Sequence, residues 1–69
     1  MSMDRNHAQQ LAKRIKQEAS HLIVSIGPVA IVGKSEAWAV YVDADGFKEP
    51  LPIESPSDWE VQKVAFLLP

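Results

Sequence analysis

The chain contains no cysteine, so neither a disulfide nor a thiolate zinc site can staple it. The other soft metal ligands are His7 and His21. On one helix their spacing amounts to about 21 Å at about 1.5 Å per residue, too far to share an ion. No apolar run approaches the roughly 20 residues of a membrane helix. Residues 29–32 and 37–42 are among the longest runs. Residues 1–12 lack an apolar stretch behind a basic start, so no secretory signal is expected. The expectations are no metal, no cofactor, no membrane partner and a cytoplasmic location.

A chain of 69 residues makes one domain and buries only about 60% of the surface its unfolded form exposes. Without a staple, such a domain needs a well packed core, a partner or a second copy of itself. Its composition is that of a folded protein: 46% of residues are hydrophobic and 23% charged, unlike disordered chains. The net charge of −2 conceals a division. Residues 1–35 carry five basic and two acidic side chains, and residues 36–69 carry two basic and seven acidic ones. Such asymmetry suits either interaction surfaces of opposite sign or two solvated faces.

Ala8, Leu11, Ala12, Ile15, Ala19, Leu22, Ile23 and Ile26 recur at helical spacing, which predicts an amphipathic helix over about 4–25. Ser2 or Asp4 would cap it, and Gly27-Pro28 would stop it. The β-branched content of 22–26 suits a strand equally well, in which case the helix ends near Ser20. Strands are expected over about 29–33, 36–42 and 47–53, with a turn at Asp43-Ala44-Asp45-Gly46. Pro50 and Pro52 confine the third strand to an edge. Ser55, Pro56 and Asp58 have the arrangement of a helix start, so 56–68 reads as a short helix, with a fourth strand as its rival. The fold class is therefore α+β: a long N-terminal helix, a three-stranded antiparallel meander and a short C-terminal helix or strand.

Several strings imitate known sites. Gly27 to Ser35 resembles the phosphate-binding P-loop, G-x-x-x-x-G-K-[ST]. It has one residue too many between its glycines, a strand-forming interior, and a strand in place of the helix the loop requires. A turn with an exposed Lys34 explains it better. Asp43-x-Asp45-Gly46 echoes a calcium loop, but that alignment puts Tyr41 and Pro52 where carboxylates are needed. No Ser/His/Asp grouping converges, so no catalytic residue is assigned. The order helix, three strands, helix is similar to that of the double-stranded RNA-binding domain. The similarity is limited to order and length: that family's last helix opens with a basic cluster, whereas residues 56–60 are acidic here.

Three functions remain. The first is a non-catalytic protein–protein interaction module, regulatory or inhibitory, acting as a homo-oligomer. Its surface would use Trp59, Asp58, Glu60, Leu22, Ile23 and Ile26, although aromatics in so small a domain are first of all core. The second is nucleic-acid binding through Arg5, Lys13, Arg14 and Lys16 on the polar side of the first helix. The third is a small-ligand binder or small enzyme with its site at an oligomer interface. A helix reaching residue 26 would overhang its own sheet, and an isologous dimer is the simplest cover. A homodimer with an unidentified protein partner is therefore expected.

Overall fold

A computed structural model describes residues 3–32 and 35–67. The elements run α1 (Arg5–Glu18), β1 (Ile23–Val32), β2 (Ser35–Asp43), β3 (Leu51–Ile53) and α2 (Pro56–Leu67). The three strands form one antiparallel sheet in the order β1-β2-β3. This is the expected α+β meander between two helices.

The first helix stops at Glu18, well short of residue 25. Asp4 caps its start, its carboxylate accepting the backbone N–H of His7 at 2.8 Å. At its end the Ala19 N–H donates to the Ile15 carbonyl at 2.8 Å, and the Leu22 N–H to the Ala19 carbonyl at 3.1 Å. That turn redirects the chain into β1, where Ile23, Val24, Ser25 and Ile26 pair with Asp43, Val42, Tyr41 and Val40. The helical rhythm continues to Leu22 because Ala19 and Leu22 face the core from the turn itself. Beyond that point the β-branched side chains favour the pleated geometry.

Gly27-Pro28 does not stop an element but lies inside β1. The pairing steps from Pro28–Trp38 to Ala30–Ala37, so Val29 is the extra residue of a β-bulge. Pro28 is tolerated because β1 is an edge strand. At the other edge β3 is only three residues long, shorter than the expected 47–53, and holds Pro52 opposite Tyr41. Before it, the Phe47 N–H donates to the Ala44 carbonyl at 3.2 Å. Gly46 takes φ +93° in that turn, the position where a type II turn needs glycine. Met3 continues the line of β3 by bridging to Trp38.

Both helices pack on one face of the sheet. Ala8, Leu11 and Ile15 of α1 and Trp59 and Phe66 of α2 meet Val40, Val42 and Ile53 in a single core, with Val24, Ile26, Trp38 and Leu51 at its margin. Trp59 and Phe66 stack with ring centroids 6.0 Å apart, and Phe47 lies 5.2 Å from Phe66. The opposite face carries Ser25, Gly27, Ala37, Ala39 and Tyr41; among the described residues no helix packs there, although Ala39 is buried and Gly27, Ala37 and Tyr41 are half-buried.

The relative lengths are the reverse of those expected. The helix has 14 residues, about 21 Å, whereas β1 has 10, about 33 Å. The β1–β2 pairing continues past Trp38 through Ala30–Ala37, Ile31–Glu36 and Val32–Ser35. Neither β3 nor Met3 accompanies it there. The sheet therefore ends in a two-stranded arm, and the longest dimension of the molecule is 41 Å against 23 and 17 Å for the others.

Candidate functional site

α1 has two distinct polar flanks beside its buried stripe. One faces α2. There Arg14 Nε donates to Glu18 at 2.7 Å and its Nη2 pairs with Glu60. Lys63 Nζ lies 2.8 Å from Glu60 and 3.5 Å from Glu18. Hydrogen bonding from Arg14, then the charges of Arg14 and Lys63, hold the Glu18 carboxyl below its ordinary value. The network ties the helices together on the surface. Trp59 lies beneath it with no exposed area. Its indole N–H is near enough to Glu18 to favour the carboxylate, yet no acceptor meets it in hydrogen-bonding geometry.

The other flank faces the outer edge of β1. Gln9, Lys13 and Lys16 of α1 and Val24, Ser25 and Ile26 of β1 line a groove of about 630 Å³. Val24 and Ile26 are half-buried and form its apolar floor, while the lysines are exposed at its rim. Among the described residues no strand pairs with that edge of β1, and no carboxylate pairs with Lys13 or Lys16. A second hollow, about 490 Å³, lies beside the start of β1 between His21, Asp43, Asp45, Phe47 and Phe66. Among the described residues, no three His, Cys, Asp or Glu side chains are placed to hold a metal.

The residues expected to form an interaction surface are scattered. Trp59 and Leu22 belong to the core, and Trp59 has no surface to offer as an anchor: it is the largest fully buried side chain. Asp58 secures the start of α2, accepting the Glu54 N–H at 3.2 Å while its own N–H donates to Ser55 Oγ at 3.0 Å. Glu60 is engaged by Arg14 and Lys63. Ile23 is 70% exposed, and Ile26 lies in the groove.

The basic set is likewise divided. Lys13 and Lys16 share the groove. Arg14 is on the far flank among carboxylates. Arg5 stacks on the Trp38 ring at 5.6 Å, and the Trp38 indole N–H donates to Glu36 at 3.1 Å. A continuous track for a phosphate backbone is not formed by these four. The P-loop-like string has a strand from Ser35 onward where that loop needs a helix; Gly33 and Lys34 lie outside the described residues. Gln9 and Ser25 were not singled out from sequence. Helical spacing puts Gln9 one turn before Lys13, whereas only the β1 assignment, an alternative for 22–26 in the sequence, places Ser25 beside the lysines.

No described helix is long and apolar enough to cross a membrane. No family model matches the chain, and no curated protein or solved structure matches it significantly.

Proposed function

We propose that the chain is a non-catalytic protein-interaction module that works as a homodimer. The observation that carries this reading is the placement of both helices on one sheet face, which among the described residues leaves the other face without a helix and the β1–β2 pairing beyond Trp38 without a third strand. An isolated pair of strands is marginal in water, and the arm sequence Val29-Ala30-Ile31-Val32 is wholly apolar. Among the described residues the face is built from small residues around Tyr41, with Ala39 itself buried, and its charged side chain is Asp43 at one end of the register. Two copies can therefore meet there across a two-fold axis without opposing like charges over the centre. This reading places the dimer contact on the hairpin rather than on α1.

Analytical ultracentrifugation tests it. The native chain is expected to sediment as a dimer, and Ala37→Asp, which puts a charge at the root of the arm, as a folded monomer by circular dichroism. A native chain that stays monomeric at millimolar concentration overturns the reading, as does a dimer indifferent to the substitution.

A further inference from the structure

The groove between α1 and the outer edge of β1 differs from the uncovered face in one decisive respect: it is basic. We propose that it binds an extended acidic peptide segment of a partner protein by strand addition to β1. The inference rests on the reading of the chain as an interaction module and names the partner's chemistry.

The backbone of β1 supplies the first element of recognition. Its inner edge is used by β2, and along 23–27 every second residue directs its N–H and C=O outward. Pro28 and the bulge at Val29 interrupt the ladder beyond that point. The free template is thus about five residues, or about 17 Å of extended chain. Strand addition takes its affinity from such main-chain bonds and its specificity from the side chains beside them.

The side chains supply the second element. Lys13 and Lys16 are three positions apart on one flank of α1 and lie together on this groove. Alternate residues of an added strand point toward α1. Glutamates at those positions lay their stems over Val24 and Ile26 and reach the two ammonium groups. The intervening residues point to the opposite face, beside exposed Ile23 and Ser25, where small or apolar side chains fit. The recognised segment alternates acidic with apolar residues.

The same charges argue against a second copy in this groove. Two-fold pairing of β1 with β1 keeps both α1 helices on the same side of a continuous sheet, with the Lys13 and Lys16 flanks opposed. Like charges brought together across an interface reject that partner.

The test uses the full chain and fluorescein-labelled heptapeptides, read by fluorescence anisotropy. A peptide alternating glutamate and valine is expected to bind. Its lysine–valine counterpart, and a glutamate–valine peptide N-methylated at every second residue, are expected to bind at least about tenfold more weakly. Lys13→Glu with Lys16→Glu, both exposed, should weaken the glutamate peptide by a similar factor. Bound peptide should slow hydrogen exchange at alternate amides of 23–27. The proposal is overturned if the glutamate peptide does not bind at millimolar concentration, if N-methylation or the double substitution leaves its affinity unchanged, or if the amides of 23–27 are already protected by self-association without peptide. A dimer that ignores the peptide removes this proposal and leaves the interaction reading standing. Loss of the dimer in Ala37→Asp with peptide binding intact separates the two in the other direction.

Discussion

The ring of Tyr41 rests on the backbone of Gly27: a Cβ at position 27 would stand 3.2 Å from Tyr41 Cε2. The two residues are diagonal neighbours across β1 and β2, since Gly27 pairs with Ala39 and Tyr41 with Ser25. An aromatic ring over a strand glycine replaces the packing that the glycine lacks. Gly27→Val is therefore expected to displace the ring and cost about 1–3 kcal/mol, the range for overpacking. In a Tyr41→Ala background most of that cost should vanish, because the two sites share one space. Urea denaturation of the four members of this cycle, at one protein concentration, measures the coupling. Additive costs would show that the ring does not depend on the glycine.

Trp59 holds α2 to the core, and truncation should be severe. Trp59→Ala is expected to cost about 3–5 kcal/mol, comparable with the whole stability of a small domain at about 0.05–0.15 kcal/mol per residue. Trp59→Phe should be much milder. It forfeits volume but also removes a buried N–H that has no acceptor, a liability of about 1–3 kcal/mol. Thermal unfolding followed by circular dichroism separates the two, and equal losses would show that the indole N–H is satisfied in solution.

Acid should destabilise the fold through two carboxyls. Asp4 is held below its ordinary value of 3.8, first by the backbone N–H of His7 and then by the His7 ring. Glu18 is held below 4.5, first by its hydrogen bond from Arg14. Both groups thus bind protons more readily in the unfolded chain. Their contribution is complete above the ordinary values and is lost as pH falls through the lowered ones. The urea midpoint should be insensitive to these groups above about pH 5 and fall below about pH 4. Asp4→Asn keeps a capping oxygen and should make the acid limb shallower. An unchanged limb would remove Asp4 from the account.

The surface network between the helices should contribute little at neutral pH. Arg14 and Glu60 are each more than two-fifths exposed, and exposed pairs are worth about 0–1 kcal/mol. Arg14→Ala is expected to stay within about 1 kcal/mol of the native chain, with the difference shrinking in about 1 M salt as charges are screened. A larger loss that persists in salt would assign Arg14 a packing role over Leu11 and Pro56, with which it shares a shallow surface pocket.

Much of the architecture is legible in local chemistry. Ser55, Pro56 and Asp58 announce α2, and their hydrogen bonds are those of a helix start. Gly46 marks the turn that needs positive φ, and the prolines of 50–52 mark a weak edge. The end of α1 is harder to read. Ala19 and Leu22 satisfy the helical spacing from a turn, so the periodicity outlasts the helix. The groove depends on that boundary: with 22–26 helical there is no β1 edge beside Lys13 and Lys16, and only the bare basic flank remains visible.

Sequence by itself determined the class of this protein. The absence of cysteine, the amphipathic stripe of 8–15, the alternation of 37–42 and the capping residues of α2 require a small α+β domain without staples, because each acts over a few neighbouring residues. Tertiary structure decided which face of the sheet the helices cover and which charges stand together. Cross-strand pairing of 23–26 with 40–43 turned an ambiguous segment into an edge strand. Packing both helices on one face left the other without a helix among the described residues, and the carboxylates of Glu18 and Glu60 claimed Arg14 while leaving Lys13 and Lys16 at an open groove. Those outcomes rest on contacts between residues distant in the chain, which no local pattern encodes.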